Sequence, residues 1–408
     1  MTSVLTIDFV GAQGDGVAEA DGTRVYVPGT LAGEQVEVEV DGDRGRLLRV
    51  LQPSPDRQTP PCRHFGVCGG CALQHMGDKA YRAWKTERAL RALQHRGFEG
   101  MDIRPLWASP PASRRRARLT AINARDGVIL GFNQRGTNRV FDLEECPVLR
   151  PEIMALLPKL RTLLQGMLPA GKRGQVHLTQ SESGIDIVLD LSGKLDLEKR
   201  ERIAAFGEEA QVARISWGEG AELVLERRPP SVIFAGHRVK LPPAAFLQAS
   251  VEAEQAMLAD VMDIVNDATN VADLFSGLGT FSLPLMAKAR VDAFDGNAAA
   301  IAALAAAAGG DRLNAHVRDL FRRPLRPDEL AHYGAVIIDP PRAGARAQIE
   351  QLAVSAVPVI AMLSCNPATF ARDARTLVDG GYSLQWVRPV DQFVWSSEVE
   401  MVAAFRRS

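Results

Sequence analysis

The sequence predicts a multidomain chain: a small N-terminal β-barrel, a central α+β region, and a C-terminal α/β domain of the Rossmann-like, doubly wound kind. Three observations predict it. Residues 1–50 alternate apolar and polar positions between glycine turns, residues 119–245 mix strand-like and helix-like periods, and residues 270–364 carry apolar strands that run into turns and helical stretches. The expected boundaries put the barrel at 1–55, the central domain at 56–245 and the α/β domain at 246–408. A chain of 408 residues with 46% hydrophobic and 24% charged content can bury several cores and reads as an ordinary soluble protein. It shows neither the flanks of a signal peptide nor an apolar run of membrane length, so a cytoplasmic protein with no membrane partner is expected. Five cysteines in such a chain point to a reducing compartment rather than to disulfides.

Strand-like runs at 4–9, 24–27, 37–40 and 46–50, with glycine turns between them, read as a five-stranded barrel. Pro53, Pro55, Pro60 and Pro61 then mark a linker. Charge is uneven: residues 1–50 hold nine Asp/Glu against four Arg, whereas residues 51–125 hold fourteen Lys/Arg against five Asp/Glu. A basic block inside a chain of net charge −1 is the footprint expected for a polyanion such as RNA. Arg82, Lys85, Arg88 and Arg91 on a helix over 78–96, and Arg114, Arg115, Arg116 and Arg118 before the next strand, are candidate phosphate contacts. A solvated helix face accounts for any one of them equally well.

Cys62, Cys68 and Cys71 lie close together, and Gly69 and Gly70 let the backbone wrap so that three thiolates converge. A metal or cluster site then lacks one ligand, and Cys146 is the candidate besides Cys365. Zinc sites more often show two separate C-x-x-C pairs. Three close cysteines, one distant cysteine and Pro147 beside the last favour an iron–sulfur cluster.

In the α/β domain a buried strand over 270–275 is followed by Ser276-Gly277-Leu278-Gly279-Thr280-Phe281, which turns into a helix over 282–289; the second strand ends in Asp295. This is a nucleoside-binding plan, the carboxylate accepting hydrogen bonds from ribose hydroxyls. Leu283 stands where a dinucleotide fingerprint needs its third glycine, and Asp273 is a poor neighbour for a pyrophosphate, so S-adenosylmethionine fits better. A further strand ends in Asp339-Pro340-Pro341-Arg342, the prolines stopping the ladder and projecting Asp339 at the carboxyl edge. The next strand leads into Ser364-Cys365-Asn366-Pro367, where Asn366 suits an N-cap and Pro367 the first helical turn. Cys365 is a candidate nucleophile whose thiolate a helix N-terminus favours; simple packing is the other reading. On the closing strand over 398–405, alternation puts Glu398 and Glu400 on one face.

In this order the motifs resemble the RNA (uracil-5-)methyltransferase family, most closely its iron–sulfur branch that modifies 23S rRNA. The resemblance implies a TRAM-like OB-fold barrel, a central α+β domain with a [4Fe–4S] cluster on Cys62, Cys68, Cys71 and Cys146, and a class I S-adenosylmethionine-dependent methyltransferase domain. It implies that Cys365 adds to C6 of a uridine in 23S rRNA and that Glu400 removes the C5 proton once C5 is methylated. Gln248, Phe275, Thr280, Asp295, Asp319 and Asp339 match cofactor-pocket positions, and the enzyme is expected to act as a monomer. Three departures stand out. Glu398 replaces a His two residues before the base, making either glutamate a candidate base; Ser250 replaces an Asn near Gln248; and the acidic barrel shifts the expected RNA contact to 51–125. The same chemistry on tRNA is the alternative, against which the four cysteines weigh. A non-catalytic RNA-binding or assembly protein is the alternative of another class.

Overall fold

A computed structural model describes residues 2–20 and 22–407. The N-terminal strands are Thr2–Thr6 (β1), Phe9–Val10 (β2), Asp15–Ala20 (β3), Thr23–Pro28 (β4), Gln35–Asp41 (β5) and Arg44–Gln52 (β6). Alternation puts Val36 and Val38 inside while Glu39 faces water. The sheet order is β1-β5-β6-β4-β3-β2, and its two ends are halves of one strand bent at Ile7-Asp8, so the sheet closes on itself. Counting that broken strand once gives the expected five. The strand β3 was hidden because Gly16 and Ala18 replace bulky inward residues; a Cβ on Gly16 would meet Thr30 at 2.0 Å.

Helix α1 (Asp78–Gln94) and strand β7 (Trp107–Ala108) follow, and both pack on the C-terminal sheet rather than on the central one. The central sheet comprises Arg116–Ala124 (β8), Gly127–Gly131 (β9), Arg173–Ser181 (β10), Gly184–Leu191 (β11), Arg214–Trp217 (β12) and Glu222–Glu226 (β13), in the order β13-β12-β11-β10-β8-β9. Helices α2 (Pro151–Gln165) and α3 (Leu197–Ala210) bury Leu160, Leu164 and Ile203 against its inner face. A hairpin, Ser231–Phe234 (β14) with His237–Lys240 (β15), buries Val232, Phe234 and Val239 in the C-terminal core.

The C-terminal domain runs α4 (Val251–Ile264), β16 (Asn270–Leu274), α5 (Ser282–Leu285), β17 (Arg290–Asp295), α6 (Ala298–Ala308), β18 (Leu313–Val317), α7 (Pro327–Leu330), β19 (Ala335–Ile338), α8 (Arg346–Ala353), β20 (Val359–Ser364), α9 (Pro367–Asp379), β21 (Tyr382–Asp391) and β22 (Glu400–Arg407). Its sheet order is β18-β17-β16-β19-β20-β22-β21-β7. Strands β16 to β20 are parallel, and the inner ones, β16, β19 and β20, are covered on both faces, which is why they read as near-continuous apolar runs. The order reverses between β16 and β19, and that switch point opens a crevice at the strands' carboxyl ends. Strand β22 runs antiparallel between β20 and β21, pairing Met401 with Ser364 and Glu400 with Val390. Its first residue therefore lies at the edge where β20 ends. Among the described residues no helix is long and apolar enough to cross a membrane.

Candidate active site

Cys365 occupies the turn between β20 and α9, as expected. Asn366 caps the helix, its Oδ1 accepting the Ala368 N–H at 3.0 Å, and Pro367 fills the first turn. The thiol is half-buried. The expectation of a helix-stabilised thiolate fails here: burial, with the Glu400 and Asp339 carboxylates beside it, pushes the thiol up to about 12. One helix end cannot outweigh desolvation plus two carboxylates, and the opposing charge of Arg342 is smaller than either.

Behind the thiol, two carboxylates are joined through two amides. Gln248 Nε2 donates to Asp339 Oδ2 at 3.0 Å, Gln392 Nε2 donates to Gln248 Oε1 at 2.9 Å, and the same Gln392 nitrogen donates to Glu400 Oε2 at 2.8 Å. Glu400 is 3% exposed, and its Oε1 has no hydrogen-bond partner among the described residues. Burial and the charge of Asp339 hold the Glu400 carboxyl well above its ordinary range, and burial lifts Asp339 to about 7.

Glu398 and Glu400 do not share a face. Glu398 precedes β22 and turns outward to Arg342 at 2.8 Å, because residues 392–399 form a loop and not a strand. Gln248 is in the site despite Ser250. Helix α4 starts at Val251, with Ser250 Oγ capping it by accepting the Ala253 N–H at 3.1 Å. Gln392 carries no signal in the sequence because it lies in the loop just past β21, a strand that was not recognised beside β22.

The crevice at the switch point collects the remaining expected residues. Phe275 adopts φ 63° at the end of β16, and Gly277 and Gly279 also take positive φ, turning the backbone toward Thr280. A Cβ on Gly279 would meet Leu304 at 2.3 Å, so that turn needs glycine. Asp295 ends β17 and accepts the Gly277 N–H at 3.0 Å and the Asn297 N–H at 2.7 Å. Asp319 accepts the Phe321 N–H at 3.0 Å. Beside it Val317 and Phe321 are 54% and 50% exposed, and the Phe321 ring packs on Phe275 at 5.3 Å.

Cys62, Cys68, Cys71 and Cys146 are free thiols brought together from two distant loops, near enough to repel one another as thiolates. Burial raises all four, Cys71 to about 12. The Gly70 N–H donates to Cys68 Sγ at 3.3 Å, and Arg114 lies beside Cys146 and Cys71. Among the described residues no group of three or more His, Cys, Asp or Glu is spaced to hold a single metal ion. A four-iron cluster binds each thiolate to a different iron, so its sulfurs stand wider apart than the ligands of one ion.

The basic block divides. Lys85 is 0% exposed and is a structural residue: its Nζ donates to Asp391 Oδ1 at 2.8 Å and to the carbonyls of Phe393 and Glu398. Arg115 is buried against Glu254 and donates to the Gln248 carbonyl at 3.0 Å. By contrast Arg24, Arg88, Arg91 and Arg96 line a groove between the barrel and α1, with Glu87 among them, that reaches Asn366 and Pro367 directly after Cys365.

A doubly wound sheet with a glycine turn after its first strand, an acid ending the second and a cysteine–carboxylate pocket on the same edge defines a nucleoside-handling α/β enzyme. Known proteins narrow this. The family model described as tRNA (uracil-5-)-methyltransferase matches residues 299–407. An uncharacterized RNA methyltransferase of Brucella suis is 44% identical, covering 100% of this chain and 98% of that one. The 23S rRNA (uracil(1939)-C(5))-methyltransferase RlmD of Nitrosococcus oceani is 32% identical, covering 99% and 96%. The crystal structure of Pyrococcus abyssi tRNA (uracil-54, C5)-methyltransferase in complex with S-adenosyl-L-homocysteine shares the fold, with a TM-score of 0.78 at 21% identity over 98% of this chain and 99% of that one. The chain belongs to the RNA (uracil-5-)methyltransferase family and is an enzyme of that class.

Proposed function

We propose that the enzyme methylates C5 of a uridine in 23S rRNA, using S-adenosylmethionine, through a covalent bond between Cys365 and C6. The observation that carries this is the placing of Cys365, Glu400 and Asp339 in one pocket by the ends of three adjacent strands. The relative that names 23S rRNA aligns along nearly the whole chain and supports that substrate.

The chemistry follows from the residues. Uracil C5 is a weak nucleophile. Cys365 Sγ bonds to C6 while its proton passes to Asp339, leaving Glu400 free as a base, and the C5–C6 π electrons move toward O4, making C5 carbanion-like. When bound, S-adenosylmethionine supplies an electrophilic methyl group and a positive charge that offsets these carboxylates. Glu400 Oε1, buried and without a partner among the described residues, then takes the C5 proton. The C–H pair re-forms the C5–C6 double bond, the C6–S bond breaks with its electrons returning to sulfur, the thiol regains its proton from Asp339, and Glu400 releases the C5 proton to solvent.

The crevice fits the cofactor. Each Asp295 oxygen accepts one backbone N–H and keeps a second lone pair for a ribose hydroxyl, while the exposed Val317 and Phe321 offer a flat base an apolar cover. Cys62, Cys68, Cys71 and Cys146 fit a [4Fe–4S] cluster, whose irons offset four thiolates that burial otherwise disfavours. The barrel fits an OB-type, TRAM-like domain, and the arginine-lined groove from it to Cys365 fits the phosphates flanking the target uridine, which is splayed into the pocket.

Mass-spectrometric mapping of 5-methyluridine in total RNA from cells with and without the gene tests the reading. Loss of one 23S rRNA site is expected. Loss of a tRNA site instead transfers the chemistry to tRNA, and no loss anywhere overturns the assignment.

A further inference from the structure

Among the residues around Cys365, Gln392 has a side chain held at both ends of its amide and no role in the chemistry so far. It is 4% exposed and sits one residue past β21. Its Oε1 accepts the Ala249 N–H at 2.8 Å. A backbone N–H can only donate, so this contact fixes which end of the amide is oxygen and forces the NH₂ group to face the other way. That nitrogen carries two hydrogens and meets two acceptors, Gln248 Oε1 at 2.9 Å and Glu400 Oε2 at 2.8 Å. Both N–H hydrogens of the amide, and its oxygen, thereby have a partner.

The consequence falls on Glu400. One carboxylate oxygen accepts a hydrogen bond, and the other is buried without a partner among the described residues. A carboxylate held this way has one orientation, and its unbonded oxygen is the more basic of the two. Without the donor, two equivalent oxygens would share the pocket and the carboxyl could rotate.

We propose that Gln392 is a positioning residue for proton removal: it anchors Glu400 through Oε2 so that Oε1 alone meets the C5 proton, and through Gln248 it ties this base to Asp339. The proposal rests on the uridine-C5 reading above. In the step concerned, the C5–H bond breaks toward Oε1, its electron pair closes C5=C6, and the Cys365 sulfur leaves with the C6–S pair. Gln392 exchanges no proton. It acts only on the step after methyl transfer, so adding Cys365 to C6 does not require it.

The test uses the holoenzyme with Gln392→Leu and Gln392→Glu, and RNA carrying uridine, 5-deuterouridine or 5-fluorouridine. In both variants we expect kcat to fall about 10–100-fold, part of the usual worth of a positioned general base, with KM for RNA unchanged. A kinetic isotope effect from 5-deuterium should emerge, and the methylated covalent intermediate should accumulate. Trapping of 5-fluorouridine RNA, which has no C5 proton to remove, should proceed at the wild-type rate. Gln392→Glu should be the slower variant at high pH, where a second carboxylate faces Glu400. Wild-type kcat without an isotope effect in either variant overturns the proposal. So does a trapping rate that falls in step with kcat, since that marks a damaged pocket. Failure of the wild type to trap 5-fluorouridine RNA would instead refute the uridine-C5 reading on which it rests.

Discussion

The chain holds five cysteines in two settings, and the contrast between them lies in the groups that face each thiol. Burial lifts all five thiols, Cys365 and Cys71 both to about 12. The neighbours differ. Cys62, Cys68, Cys71 and Cys146 face one another, with the Arg114 guanidinium and the Gly70 N–H beside them. Cys365 faces the carboxylates of Glu400 and Asp339. Four thiols that repel each other as anions are a receptor for positive charge, which a metal cluster satisfies. One thiol beside carboxylates has somewhere to send its proton and bonds only when a substrate arrives. On the function proposed above, the same residue type, raised by the same desolvation, would serve ligation in one place and addition in the other.

The contrast is most sharply broken by Cys365→Ala. 5-Methyluridine formation should vanish in an assay of purified enzyme, while iron and sulfide content stays at the wild-type level. Glu400→Gln should come next, lowering turnover about 10²–10⁴-fold; denaturing gels should show RNA held on the protein, because addition survives and release does not. Cys71→Ser should invert the pattern, with iron lost and turnover reduced less than by either change at the active site.

That last loss is not zero because the two regions touch. The Ala72 and Leu73 N–H groups, directly after Cys71, donate to the Trp395 carbonyl at 2.8 and 3.0 Å. Trp395 N–H donates to Tyr81 Oη at 2.8 Å, and Asp391 is gripped by Tyr81 and by Lys85. The loop over 392–399 that carries Gln392 and leads into Glu400 is therefore fastened, with Asp391 before it, to the cysteine loop and α1. Asp391→Ala would strand the Lys85 ammonium in the interior and should cost about 3–5 kcal/mol, the usual loss for breaking a buried ion pair, read by urea unfolding.

The smallest effect concerns pH. Asp339 is lifted from 3.8 to about 7, so between these values the folded chain holds a proton the unfolded chain has released, and stability falls as pH rises through that window. Asp339→Asn removes the penalty. Its Tm should exceed that of the wild type clearly at pH 8 and hardly at pH 4, although activity is lost at both.

Local patterns carried far in this molecule and failed where the fold brings distant segments together. The turn around Cys365 was legible because cap, proline and apolar strand are consecutive in sequence, and the Asp339 turn for the same reason. Lys85 was not: a charge count cannot distinguish a solvated lysine from one whose partner is 306 positions away. Glu398 was misplaced because alternation was extended into a loop, and Gln392 was missed because it acquires its partners only when β21, β22 and the Gln248 segment meet. The barrel strand β3 was hidden by its small residues.

The central claim is that Cys365 becomes bonded to C6 of a uridine. The most direct measurement is intact-mass analysis of the enzyme incubated with 5-fluorouridine-containing 23S rRNA fragments and S-adenosylmethionine. A methylated RNA adduct mapping to the peptide that contains Cys365 is predicted. An adduct absent from the wild type, or one that persists in Cys365→Ala, would contradict it.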